Sequence, residues 1–167
     1  MNSLRLLSEK WAPHIYASFA AVIFLDSLRF KFTNAPETQV IFQKLDGWAA
    51  DLGAAGLFAQ TGLFSQYVIG SAELLASALL LAGFFPRFTR LRIIGALIGL
   101  AVMTGAINFH LWTPLGIDPN QDGGGLFAAA VIVWCSSLAF LAAYRSTLAN
   151  MAHEIWAAIA PAHASGN

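Results

Sequence analysis

Leu126 to Tyr144 is the stretch that most limits what this chain can fold into: nineteen residues of almost unbroken apolar character, closed by Arg145. A helix rises ~1.5 Å per residue, so about 20 apolar residues cross the ~30 Å hydrocarbon core of a bilayer. Three more runs have comparable reach: Ala12 to Leu28, Phe64 to Phe85 ended by Pro86, and Ile93 to Trp112. Such runs belong in lipid. The composition agrees, since 57% of the 167 residues are hydrophobic and 11% charged, against about 25% charged in ordinary soluble domains. The sequence therefore predicts an all-α, single-domain bundle of four transmembrane helices.

Between the spans lie segments of another kind. Residues 34–60 place Val40, Ile41, Leu45 and Trp48 at helical spacing, with Thr33 or Asn34 as cap and Glu37 in the first turn, so a short amphipathic helix or two should lie in the membrane interface. Residues 146–160 put Leu148, Met151, Ile155 and Ile159 on one face beside Trp156, which predicts an amphipathic surface helix. Met1 to Lys10 reads as a short surface helix and not as part of a cleavable signal, because the apolar run that follows, Ala12 to Leu28, is long enough to span the bilayer; the chain from Pro161 onward reads as loose.

Charge sets the orientation. Arg5, Lys10, Arg87, Arg90, Arg92 and Arg145 fall on one side and Arg29, Lys31 and Lys44 on the other, which places both termini in the cytoplasm of a bacterial-type inner membrane. A formal net charge of +0 offers no basic surface for nucleic acid. The single cysteine, Cys135, excludes an intrachain disulfide, a Cys-x-x-Cys pair and a thiolate metal cluster. Gly123-Gly124-Gly125 is no phosphate loop, because no strand precedes it and no Gly-Lys-Ser/Thr follows; it reads as a tight helix start capped by Asp122. No haem or metal is predicted, since His14 and His110 belong to opposite membrane faces and His153 and His163 to the tail.

The polar residues that remain are few enough to be weighed singly. Counting from Phe64, Glu73 lies ~14 Å deep, near the midplane, where an ionisable group costs several kcal/mol unless it is paired or protonated. Thr104 and Asn108 count to ~12 and ~6 Å below the outer edge of the third span, with Asp26 level with Asn108. Depth alone thus suggests one polar column descending from the outer mouth. His110, Asp118 and Arg29 stand at its top, Asp26 and Asn108 below them, Glu73 and Thr104 at its floor. Glu73, His110 and Asp26 are the candidate proton-exchanging groups; Arg29, Lys31, Thr104, Asn108 and Asp118 are candidate ligand contacts. Each has a plain structural reading too: Glu73 bonding Thr104 or Asn108 to lock packing, His110 as an interfacial anchor, and Asp26, Arg29 and Lys31 as a salt-bridged helix end.

Taken together, Phe30-Lys31-Phe32-Thr33-Asn34-Ala35-Pro36-Glu37, Gly70-Ser71-Ala72-Glu73-Leu74, Met103-Thr104-Gly105-Ala106 with His110-Leu111 and Leu115-Gly116-Ile117, and Asp122-Gly123-Gly124 with Leu126-Phe127 resemble the DoxX-like four-helix membrane proteins. The resemblance runs from Ala12 to Arg145 and departs between Asp46 and Gln66, where this chain is longer. It implies a link to quinones, because founding members of that family are associated with a thiosulfate:quinone oxidoreductase. On that expectation His110 or Asn108 donates to a quinone carbonyl and Glu73 exchanges the accompanying proton. The chain carries no electron carrier of its own, so a redox partner subunit is implied. Two other readings stay open: a non-catalytic partner or assembly subunit, and a small proton-coupled transporter or lipid-binding protein. Gly95, Gly99 and Gly105 suit close packing within one bundle or in a homo-oligomer.

Overall fold

The structure, a computed structural model, describes the backbone of residues 2–160 and the side chains of residues 11–160. The side chains of Arg5 and Lys10, and the chain from Pro161 onward with His163, lie outside the described residues. Among the described residues there are six α-helices and no strand: α1 (Asn2–Phe32), α2 (Pro36–Asp51), α3 (Gln66–Ala82), α4 (Thr89–Trp112), α5 (Gly125–Ala143) and α6 (Arg145–Ile159), with a 3-10 turn at Pro86–Phe88. The expected N-terminal surface helix is not a separate element. It is continuous with the first long helix, which runs through Pro13. Proline in a helix costs ~3 kcal/mol through its missing N–H, and the turns that follow offset this by burying Ala17, Ala20 and Phe24.

Four helices form the bundle. The α3 helix packs against α1 and α4, α4 against α5, and α5 closes back on α1. The core is made of Tyr16, Ala17, Ala20 and Phe24 from α1, Ala76 and Leu80 from α3, Ile93, Ala96 and Met103 from α4, and Ala130, Val133, Phe140 and Leu141 from α5. Its alanines bring backbones close. At Gly95 the helices approach closely, since a Cβ there would stand 2.9 Å from the Ala76 carbonyl oxygen and the Leu80 nitrogen. This glycine serves the chain's own bundle. Gly99 likewise faces the Phe24 ring, whereas the nearest neighbour of Gly105 is Phe109 of its own helix. One buried polar link crosses the core: Ser137 Oγ donates to the Val133 carbonyl at 2.7 Å and so accepts from Tyr16 OH at 2.9 Å.

Many large apolar side chains stand on the outer surface. Ile15, Val22, Leu74, Leu75, Ile132 and Leu138 are all exposed. Two helical segments, Pro86–Trp112 and Gly125–Ala143, are long and apolar enough to cross a membrane, and only 33% and 28% of their apolar windows are buried inside the bundle. Burial in a protein core therefore does not account for their hydrophobicity. The third apolar helix, Gln66–Ala82, is shorter, at 17 residues or roughly 26 Å.

At one end of the bundle α2 and residues 52–65 form a cap. Only one helix forms in the 34–60 segment, and the rest is turns. Leu45, Ala49 and Phe58 make a second small core with Leu115 from the α4–α5 loop, and Phe109 meets Phe58 edge-on at 5.1 Å. The start of α2 differs from expectation. Ala35 is its N-cap and Pro36 its first residue, while Asn34, at φ 56°, belongs to the end of α1. There the Ala35 N–H bonds the Phe30 carbonyl at 3.0 Å, a Schellman closure that needs a left-handed residue just past the helix. Asparagine tolerates that conformation. The α6 helix buries no residue, with Ile155, Trp156 and Ile159 exposed.

Candidate functional site

Ser27 and Lys31 are four residues apart near the end of α1, so their side chains share one face of that helix. The antiparallel α3 brings Glu73 against them. Glu73 is 3% exposed and meets both neighbours: Ser27 Oγ donates to Oε2 at 2.6 Å, and Lys31 Nζ stands 3.0 Å from Oε2 and 3.2 Å from Oε1. Lys31 also donates to Ser27 Oγ at 3.0 Å, closing a triangle. An ammonium, a carboxylate and a hydroxyl are thus compensated against one another in a nearly water-free setting. Charge-assisted hydrogen bonds of this kind are about twice as strong as neutral ones.

The other expected members of the polar column are elsewhere. Thr104 and Asn108 are exposed and bond within their own surroundings: Thr104 Oγ1 donates to the Leu100 carbonyl and accepts from Trp134 Nε1 of α5 at 2.9 Å, and Asn108 Nδ2 donates to the Thr104 carbonyl at 2.8 Å. Neither reaches Glu73, which faces α1. Asp26 and Arg29 pair at 3.0 Å, one helical turn apart and more than 60% exposed, without Lys31. The single column inferred from depth is therefore not assembled. Depth fixes a residue's level along a helix and leaves its rotation about the axis undetermined.

His110 is 8% exposed at the end of α4. Its Nδ1 donates to the Gly116 carbonyl at 2.6 Å, and its ring meets Phe127 edge-on at 5.5 Å. A carbonyl only accepts, so Nδ1 carries a proton. The histidine pins the α4–α5 loop to the bundle. Asp118 is exposed in that loop. Asp122 accepts from the N–H groups of Gly124 and Leu126, both at 3.0 Å, and so caps α5 from two residues before its formal N-cap, Gly124. Burial by itself raises the Asp122 carboxyl, but the Leu126 N–H, the Asp118 side chain and the N–H groups of Gly124 and Gly125 outweigh it and hold the pKa below the ordinary 3.8.

Sequence reasoning missed the amide cluster that joins the cap to the triangle. Gln66, 2% exposed, donates to the Lys31 carbonyl at 2.8 Å and to Asn34 Oδ1 at 3.0 Å. Gln39 donates to Gln66 Oε1 at 2.7 Å, and Gln60 to Asn34 Oδ1 at 3.1 Å. A groove of about 350 Å³ opens beside this network, lined by Gln39, Gln43, Gln60 and Gln66 with Asp46 and the rings of Phe42 and Phe58. Gln43 makes no hydrogen bond among the described residues, and its amide is exposed to the groove's surroundings. Among the described residues no three His, Cys, Asp or Glu side chains converge as metal ligands would.

The sequence did hold a signal for Ser27 and Lys31. Buried positions 17, 20, 24 and 28 of α1 form a heptad-like stripe, and 27 and 31 continue it. Asp26 and Arg29 fall off it. Comparison of the chain with family models, curated proteins and solved structures gives no match.

Proposed function

We propose that this chain is a four-span, DoxX-like protein of a bacterial-type inner membrane, with both termini cytoplasmic, that binds a quinone-like amphiphile at the polar groove under α2 and serves as the quinone-handling subunit of an oxidoreductase. The observation that carries this reading is the part-buried Ser27–Lys31–Glu73 triangle around the buried Glu73, beside which Gln66 bonds the Lys31 main-chain carbonyl and lines a groove of about 350 Å³. A buried ion pair is weak support for stability, because desolvation offsets much of the attraction. Ionisable groups held inside a membrane protein are, by default, functional candidates.

The groove fits the ligand class. Quinone carbonyls only accept hydrogen bonds, and amide N–H groups of Gln43 and Gln60 line the groove as donors. Phe42 and Phe58 offer flat apolar walls for a ring. A quinone held there supplies two-electron acceptor chemistry. The chain's own residues bind and orient it, and the Lys31–Glu73 pair is the candidate proton-exchanging group. Electrons come from a partner subunit. This reading moves the donor role from His110 and Asn108, which do not line the groove, to the glutamines that do.

Mass spectrometry of small molecules extracted from gently solubilised protein tests the reading. A quinone should co-purify, and the double variant Gln43→Leu, Gln60→Leu should lose it while keeping its helical circular dichroism. Failure to retain a quinone or to bind added ubiquinone or menaquinone analogues in the micromolar range would sink it.

A further inference from the structure

At the opposite end of the bundle from the amide groove lies a second site with a different chemistry. Arg92, in the first turn of α4, is 5% exposed. Its Nη2 donates to the Gly83 carbonyl just past α3 and stands 3.5 Å from His14 Nδ1, and its guanidinium lies 5.6 Å from the centre of the Phe84 ring. The Gly83 carbonyl and the Phe84 ring carry no formal charge. No carboxylate pairs with it among the described residues, and its Nε–H is sealed from water with no acceptor. The nearest compensation is the α3 C-terminus, whose dipole amounts to about half a negative charge. Arginine stays protonated in proteins, and among the described residues its charge meets no full opposite charge. Burying an uncompensated charge is among the costliest arrangements a fold can hold.

The structure is shaped around this guanidinium. A Cβ at Gly83 would stand 2.6 Å from Arg92 Cβ and 3.0 Å from Nε, so only glycine leaves the side chain its place. Arg92 lines a cavity of about 340 Å³, shared with His14, Thr89, Tyr144 and Thr147 and with apolar walls such as Phe84 and Phe140. Nη1 donates to no group among the described residues and, unlike Nε, is not sealed. Arg90 also lines the cavity, yet its charge is met by a bidentate pair with Glu154 at 2.6 and 3.1 Å.

We infer that this cavity is a binding site for a phosphate-type oxyanion, with Arg92 as its anchor. One guanidinium edge and three hydroxyls give more donors than a carboxylate's two oxygens call for, and they suit a tetrahedral anion. The apolar walls accept the carbon part of a phosphate ester. An anionic phospholipid headgroup and free phosphate share this chemistry.

Thermal unfolding and equilibrium binding of the full chain in neutral phosphatidylcholine nanodiscs separate the sources. One arm titrates inorganic phosphate; the other replaces part of the lipid with phosphatidylglycerol. Stabilisation by phosphate identifies the free ion as ligand, and stabilisation by phosphatidylglycerol alone identifies the headgroup. In either case Arg92→Met should weaken binding about tenfold or more, while Arg87→Gln, which removes an equal charge outside the cavity, should leave it unchanged. No stabilisation in either arm overturns the inference, as does equal loss in both variants, which would indicate diffuse surface charge. Should Arg92→Met not fold, the paired variant Tyr144→Phe, Thr147→Val removes cavity donors and leaves the guanidinium in place; unaltered affinity there overturns the inference equally.

Discussion

Lys31 shows how much a single side chain's direction decides. Its neighbours Asp26 and Arg29 pair in solvent, where an ion pair contributes ~1 kcal/mol or less, whereas Lys31 turns inward to Glu73. Removing one member of the buried pair should therefore cost far more than removing one of the exposed pair. Glu73→Leu alone or Lys31→Met alone is expected to destabilise by about 3 kcal/mol, because each leaves a buried charge, while the double replacement should recover most of the loss. A double-mutant cycle by denaturant unfolding in detergent measures this, and strictly additive losses would contradict the pairing. Asp26→Asn, by the same assay, should shift stability by under ~1 kcal/mol. His110→Ala removes a hydrogen bond from the part-buried Gly116 carbonyl, a loss of about 1 kcal/mol. It should appear as faster amide exchange confined to residues 113–122, with helix exchange unaltered.

At the scale of elements, the helix ends carry the local information. Asp122 caps α5, and its replacement by Ala should cost about 1 kcal/mol. The cap also has a pH dependence of definite sign. A carboxyl held below its ordinary 3.8 contributes stability that is fully present above that value. The contribution is lost as pH falls below 3.8 through the lower folded value. Acid titration of wild type against Asp122→Asn should show the difference between them closing in that window. The contact of α3 with α4 depends on a missing side chain. Gly95→Leu inserts a branched group where even a Cβ meets backbone at 2.9 Å, and overpacking of this kind costs about 1–3 kcal/mol or more. Loss of the α3–α4 contact, read by disulfide trapping of introduced cysteine pairs, is the expected result.

Among the described residues, large apolar side chains such as Val22, Leu75, Ile132 and Leu138 stand exposed on the bundle as well as buried within it, an arrangement that lipid accommodates. On the four-span reading, the α4–α5 loop and the α6 helix lie on opposite sides of the membrane. Cysteines introduced at Asp118 and Glu154 in a Cys135→Ser background should then be labelled by impermeant maleimides from opposite faces of intact vesicles. Labelling of both from one face would rule out the topology. An outward-facing Ile132→Arg should cost about 2.5–3.5 kcal/mol of insertion, and a similar change at an exposed position of α6 should cost little.

Much of the fold was legible before any coordinate was known. The helices α3, α4, α5 and α6 fall within a few residues of their expected places, because helix formation and hydrophobic length are local properties of the chain, whereas α1 begins ten residues earlier than the expected span and α2 ends at Asp51, well short of residue 60. Asp122 as a cap was equally legible, since an acid ahead of a helix meets that helix's own N–H groups. What sequence alone left open was azimuth. Each helical residue is rotated about 100° from the last, and nothing local says which of those directions becomes the interior. Packing of α1 against α3 chose it, turning Ser27 and Lys31 toward Glu73 and leaving Asp26 outside. The partners lie 42 and 46 residues apart in sequence, and Arg92 meets Gly83 only because α4 folds back on α3. Hydrophobicity along the chain determined that this is a helical, lipid-compatible protein. The choice of which few polar groups face one another was made by tertiary contact alone, because only there do desolvation and pairing act together.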